Sequence, residues 1–359
     1  KPSELKTKKI LQSYPFPQET GTIELLKQSL RRAGDSSDSE RLERILFGCM
    51  DLAIERQTAL LAEMLRVFMQ GGRMHVGAER IPALEVVPWL QSQTDFDKRE
   101  EMRKENSIFL KAVVNPVLLS ILDLSVRTVT EAFGFENYAR YSEAKKRISF
   151  NLQAKILLKY LEDTRETYFR LVVPWVRQAI GRPFDHLSRY HALYMVRIRQ
   201  FDHYFPVSRL RGFIEATYEG LGFDLRSRPD VIIDTSDNPS KSSAGICLGV
   251  EIPGEVHVIM KPVNGLIDIE TLLHETGHAF FLSHFNSELP VEYRRLFRSG
   301  ALDETFAFLF MNLIENGSWL TSVVGIPEDE AAQLAHLVRV KRLCLIRRYI
   351  GKFLAEKEL

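Results

Sequence analysis

Leu272-Leu273-His274-Glu275-Thr276-Gly277-His278-Ala279-Phe280-Phe281 carries two histidines four residues apart, with a glutamate directly after the first. In an α-helix that spacing separates the histidines by about 6 Å along the axis and sets them on nearly one face, so both imidazoles reach a single ion. Zinc, at about 2.0–2.1 Å from nitrogen, suits such a pair. Glu275 leans over the same face without ligating, which fits a base that takes a proton from water activated by the metal. A different face, made of Ile269, Leu272, Leu273, Thr276 and Phe280, packs inward and leaves the histidines toward a cleft. Gly277 costs about 1 kcal/mol relative to alanine inside a helix, so its presence predicts a closely packed neighbour. With nine histidines in the chain, the bare pattern would arise by chance in roughly one or two per cent of shuffled sequences. Its setting on an amphipathic helix that follows a β-type run strengthens it.

A catalytic zinc site needs a third protein ligand and an open position. His284 has the spacing of the extended metzincin motif, but that motif places glycine three residues after the second histidine, where this chain has Phe281. If the helix runs on through Phe281, His284 lies about 240° around from His278 and points away from the metal. Glu304 is the better candidate. It sits in Ala301-Leu302-Asp303-Glu304-Thr305-Phe306-Ala307-Phe308-Leu309-Phe310, an amphipathic run on which a second helix can cross the first and present a carboxylate, with Ala307 keeping the crossing tight. Asp303 is expected to cap that helix.

Outward from this centre the chain changes character. Upstream, apolar residues from Ser39 keep a helical rhythm up to Gly71-Gly72; residues 107–132 repeat it with Gly134 as a stop; residues 138–180 are helical again, with Pro174 as a break or first-turn residue. Near residue 222 the composition shifts. Residues 229–234, 246–252 and 256–260 read as strands, the loop 235–244 lies between the first two, and Pro253-Gly254 separates the last two. Helices return over 268–284, 303–316 and from Glu328 to the end. The fold class is therefore mainly α with a small β-sheet. We divide it into a helical region 1–205 and a catalytic region 206–359.

Forty-eight Lys+Arg against 47 Asp+Glu leave a formal charge of +1 across 359 residues, so no global field holds nucleic acid or an anionic membrane. The mixed run Asp97-Lys98-Arg99-Glu100-Glu101 reads as a solvated face, and Arg197, Arg199, Arg209 and Arg211, interleaved with aromatics, form no nucleic-acid motif. No stretch of 18 apolar residues is free of charge, so no bilayer span is expected, and Lys1-Pro2-Ser3-Glu4-Leu5-Lys6 lacks a hydrophobic signal core. The chain begins without Met, as a trimmed fragment would. Cys49, Cys247 and Cys344 are too few for a disulfide framework, which makes a reducing, cytoplasmic setting the default.

At the metal helix, at the run 255–264 before it and at Asp303-Glu304-Thr305-Phe306-Ala307-Phe308-Leu309, the sequence resembles the thimet oligopeptidase and oligopeptidase F family of zinc peptidases, within the gluzincins. The likeness is strongest over about 199–320. It implies His274, His278 and Glu304 as ligands of one zinc ion, Glu275 as general base, and oligopeptides as substrates. It also implies a helical fold with a substrate channel, and a sheet whose edge strand pairs with the peptide backbone. Val256, His257 and Val258 would lie on that strand. In the family, tyrosines well downstream of the second-ligand helix stabilise the oxyanion. This chain ends at Leu359 with Tyr349 as the sole tyrosine after Glu304. Either the chain is part of a longer enzyme or it dispenses with those donors, for which His257, Tyr293 and His336 are substitutes. The other readings are a zinc-bound peptide-binding scaffold without turnover and a metzincin-like peptidase using His284.

Overall fold

The computed structural model describes residues 13, 19–34, 36–238, 241 and 244–358; Lys1 to Lys6 and part of the 235–244 loop lie outside them. The described residues form a mostly helical chain with two small sheets. They divide into two compact units, Lys1–Val86 with Glu100–Gln153 and Pro290–Ser299, and Val87–Arg99 with Ala154–Leu289 and Gly300–Leu359. The boundary drawn at residue 205 falls inside the second unit.

In the first unit, α1 (Thr20–Ala33) and α2 (Ser37–Gly71) realise the apolar rhythm seen in the sequence. α2 ends at the glycine pair because Gly72 N–H bonds to Phe68 O (2.8 Å). A Cβ on Gly72 would stand 2.6 Å from the Phe109 ring, so any side chain there would have to displace that ring. A hairpin follows, β1 (Arg73–Val76) and β2 (Glu79–Pro82), turned at Gly77 with φ +57°. It is absent from the sequence reading, and the Gly77-Ala78 pair is the signal that could have found it. The core gathers Ile23, Leu46, Phe47, Met50, Val129, Phe133 and Tyr141, whose hydroxyl donates to Asp51 (2.6 Å).

Helix α3 (Phe96–Ala132) starts well before the expected residue 107. Five-residue π turns at Leu110–Val114 and Thr128–Ala132 interrupt it, the first followed by Pro116 in the first turn of the next α-helical segment, where a proline is tolerated. One 18-residue window of α3 has mean hydropathy 1.7 and is only 11% buried, so length and composition alone would let it cross a membrane although Lys111 and Asp123 interrupt it. Core helices of soluble proteins pass the same test, but they are mostly buried, whereas this window is not. The helical stretch 138–180 divides into α4 (Tyr138–Lys146), α5 (Phe150–Asp163) and α6 (Arg165–Ile180). It breaks at Arg147, which has φ +54°, and at Thr164, while Pro174 is accommodated inside α6.

The second unit contains α7 (Arg189–Met195), α8 (Val207–Gly220), the strands β3 (Val231–Asp234), β4 (Ile246–Glu251) and β5 (Glu255–Ile259), and the helices α9 (Leu266–Ser283), α10 (Ala301–Met311) and α11 (Glu328–Lys357). The sheet order is β3-β5-β4, with β3 parallel and β4 antiparallel to β5. This corrects one expectation. The strand holding Val256, His257 and Val258 is the middle of the sheet, its ladder taken on both sides. Val256 and Val258 are fully buried, and His257 Nε2 sits 2.7 Å from Glu255 Oε1. The outer strand on that side is β4.

One charged group also departs from expectation. Arg99 is buried, with Nε donating to His191 Nδ1 (3.1 Å) and Nη1 to Gln93 O (2.7 Å), so the charge run around it is not wholly solvated. The Arg197–Arg211 cluster is used internally: Arg197 bonds Asp202, Arg199 bonds Ser92 O, Arg209 bonds Val324 O and Arg211 bonds Glu215. All three cysteines are free thiols.

Candidate metal centre

The start of α9 is fixed by a polar knot. Asp268, buried in the first turn, accepts the N–H groups of Val263 (2.9 Å) and Asn264 (2.7 Å), while Asp202 accepts Leu266 N–H (2.9 Å) and pairs with Arg197. Gly265 has φ +111°, and a Cβ there would lie 2.1 Å from Asp202, so the turn into the helix admits glycine alone. Downstream, Ile269, Leu272, Leu273 and Thr276 are fully buried, as the apolar pattern requires, while Phe280 of the same pattern is half-buried. Tyr218 O–H donates to Thr276 O (2.7 Å) across this inner face.

That packing leaves His274, Glu275 and His278 half-buried on the other face. The two Nε2 atoms stand 3.2 Å apart. Glu304 from α10 comes within 3.6 Å of His274 Nε2 and 4.0 Å of His278 Nε2, and one ligand atom from each of the three lies within 4.8 Å of the others. A tetrahedral ion with bonds of about 2.0–2.1 Å separates its ligand atoms by roughly 3.3–3.4 Å, so the donor set is close to the shape zinc needs. The sequence candidates His274, His278 and Glu304 are thus brought together. His284 is not: its Nδ1 lies 2.7 Å from Phe280 O and its Nε2 3.1 Å from Arg228 Nη1, because α9 continues through Phe281.

Gly277 explains how α10 gets so close. A Cβ there would stand 2.6 Å from both Ala307 Cα and Phe306 O, all backbone that cannot swing aside. Gly277→Ala would gain about 1 kcal/mol in helix propensity but overpack the crossing, which typically costs 1–3 kcal/mol and more against backbone. The expected outcome is a lower urea midpoint together with weaker zinc binding, since Glu304 rides on the displaced helix. Both are read from one denaturation series with and without added zinc.

Asp303 does not cap α10. The N-cap is Gly300, and Asp303 Oδ1 instead lies 2.6 Å from His278 Nδ1. A carboxylate behind the imidazole leaves Nε2 as the lone-pair side facing the ion and fixes the ring. Burial alone would pull His278 down, but the hydrogen bond and charge of Asp303 overcome it and leave it above the ordinary histidine range. Burial, with the neighbouring His278, holds His274 down to about 4, so its ring is neutral near pH 7. Among the described residues His274 Nδ1 is buried without a hydrogen-bond partner, so there this ring lacks the outer support that His278 has. Replacing Asp303 by Ala is expected to weaken zinc binding about 10- to 100-fold, measured by chelator competition, with the fold retained.

Glu275 is held from β4. Cys247 N–H donates to its carboxylate, and a Cβ on Gly245 would meet its Cγ at 2.7 Å. Burial is the main influence raising the Glu275 carboxyl; His278 and the Cys247 N–H oppose it, and Glu304 and Asp303 add to it. The Cys247 thiol is pushed up to about 12, chiefly by burial, and its sulfur is not among the converging ligand atoms. Gly245 and the Cys247 amide have no signature in the sequence, since their roles depend on which strand faces α9. A cavity of about 480 Å3 opens beside His274 and Glu275, and Tyr349 lines it. Tyr293 instead lies under the Arg44 guanidinium in the first unit, and His336 is exposed on α11.

No protein-family model matches the sequence, and no curated protein matches it. Among solved structures, the chain is similar to one described as an oligoendopeptidase F from Bacillus anthracis strain Ames, with a TM-score of 0.52 and 12% identity over 94% of this chain and 71% of that one. It is also similar to PZ peptidase A with inhibitor 2, with a TM-score of 0.50 and 15% identity over 91% of this chain and 67% of that one. At such identities the likeness shows the fold, that of helical oligopeptidases.

Proposed function

We propose that this chain is a zinc-dependent peptidase that hydrolyses peptide bonds of short peptides, with His274, His278 and Glu304 as ligands and Glu275 as general base. One observation carries the reading: the three donors converge within 4.8 Å beside a glutamate on the same helix face. A two-histidine, one-glutamate set is a standard catalytic zinc arrangement. Bound there, zinc supplies Lewis acidity, polarising a carbonyl and making water acidic near neutral pH.

The chain's own residues do the rest. Asp303 steadies His278, and Cys247 N–H with Gly245 fixes where the Glu275 carboxylate stands. Glu275 accepts the proton of the attacking water and returns it to the leaving amine; its raised affinity for protons suits a group that must both take and give one near neutral pH. The backbone-pairing role expected of residues 256–260 passes to β4, the strand that touches Glu275. An extended peptide laid along it would bring a carbonyl beside the base.

The test is zinc content by mass spectrometry alongside cleavage of a mixed peptide library. One zinc per chain with new peptide termini supports the reading. Zinc without any turnover would establish the peptide-binding scaffold instead, and absence of zinc would remove both.

A further inference from the structure

A separate cavity, of about 100 Å3, lies wholly within the first unit. Arg44, Gly48 and Asp51 line it from α2, Lys145 from α4, and Arg295 and Arg298 from the segment 290–299. Liquid water takes roughly 30 Å3 per molecule, so the space is that of about three waters. That suits a small ion and falls well below the roughly 300–1,000 Å3 of pockets that hold drug-sized molecules. Gly48 lets the segment come close, since a Cβ there would stand 2.9 Å from Leu296 Cδ2.

Four of those six residues are cationic, and each acid around them is already in use. Glu40 accepts Arg44 Nη2 (3.0 Å) and also lies 3.7 Å from Arg298 Nε, while Glu43 accepts Arg298 Nη2 (2.7 Å) and pairs with Arg147. Two carboxylates thus serve three guanidinium groups. Glu292 is taken by Arg41, and both oxygens of Asp51 are engaged, one by Tyr141 and the other by Lys145. Among the described residues, Nε of Arg44 and Nε and Nη1 of Arg298 are buried with no hydrogen-bond acceptor. Buried donors on charged groups are costly to leave unmatched, and such a deficit is met by water or by an ion that the site holds.

We propose that this cavity binds a small tetrahedral oxyanion of the phosphate class, either the free ion or the phosphoryl end of a small phosphomonoester, with Arg44, Arg298 and Lys145 as its donors. A guanidinium presents its N–H groups in a planar fork that matches two oxygens of one anion. The cations come from three separate segments, which suits an acceptor with oxygens in several directions. A dianion also offsets the surplus of positive charge more fully than a monovalent ion does. No residue of the metal centre lines this cavity, so the assignment stands apart from the peptidase reading.

The experiment titrates sodium phosphate into the full chain by isothermal calorimetry, with ionic strength held constant by sodium chloride so that general screening is equal throughout. Hydrogen exchange read by mass spectrometry locates the ion. The expected result is one saturable site per chain, with slower exchange over 44–51 and 290–299. Arg298→Gln and Lys145→Met should each weaken phosphate about tenfold or more, the worth of a hydrogen bond to a charged group. Asp51→Asn should tighten it several-fold, because the acid in the wall is neutralised while the new amide oxygen still accepts from Tyr141. A merely structural role for these residues predicts no such opposite response.

Circular dichroism reports the folding of each variant. Arg298 is mostly buried, whereas the side chains of Lys145 and Asp51 are 25% and 36% exposed, so those two variants carry the test if Arg298→Gln does not fold. Binding that does not saturate, binding equal in wild type and all variants, or protection confined to 274–304 overturns the site. Displacement of phosphate by phenyl phosphate supports the site and assigns it to a phosphomonoester; saturable phosphate binding that phenyl phosphate leaves untouched supports it as a site for the free ion.

Discussion

Glu275→Gln is expected to keep its zinc and its fold and to lose roughly 100- to 10,000-fold in kcat/KM, the usual contribution of a positioned general base. The substitution is nearly isosteric. The amide oxygen can still accept the Cys247 N–H, and Gly245 still leaves room for the side chain, so the wall of the site is undisturbed. Only the ability to hold a proton is removed. Glu275 is not among the three converging ligand atoms, so zinc stoichiometry should be equal in wild type and variant. A variant that cleaves the library as fast as wild type would remove Glu275 from the mechanism, and one that loses its zinc would make it a ligand. The measurement is paired metal content and initial rates on one peptide.

Legibility from sequence followed the range of the interaction. His274, Glu275 and His278 were readable because helical periodicity alone puts them on one face, and α9 bears that face out. Gly277 was readable as a demand for close approach, and its neighbour is the expected Ala307. Asp303 was not, because an acid in the first turn of a helix has the same local signature whether it caps the helix or reaches across to a histidine 25 residues earlier. The strand order failed for a similar reason. A run such as 246–259 announces a hairpin, but nothing local states that β3 adds to β5 in parallel, and that pairing is what moved the edge to β4. Arg99 shows the reverse error. Four charged neighbours made it look solvated, whereas its helix turns it inward onto His191.

Glu304→Gln and His284→Ala are expected to part company in zinc retention. The amide of glutamine is a neutral, weak donor, so removing the carboxylate from a site of two neutral imidazoles leaves the ion without anionic ligation. The loss should exceed the roughly 10- to 100-fold that follows removal of an outer partner such as Asp303. His284→Ala should leave zinc affinity within a few-fold of wild type, because both ring nitrogens are engaged elsewhere, with Phe280 O and Arg228. His284 also packs edge-on to Phe223 with ring centroids 5.2 Å apart, so this variant can lose some stability while keeping its metal. Zinc must therefore be counted per folded molecule, by metal analysis of the monodisperse fraction after gel filtration. The opposite pattern, zinc lost with His284 and kept without Glu304, would need α9 to end near Phe281 and the chain to turn back. The hydrogen bonds that carry α9 on to Ser283 are what such a result would contradict.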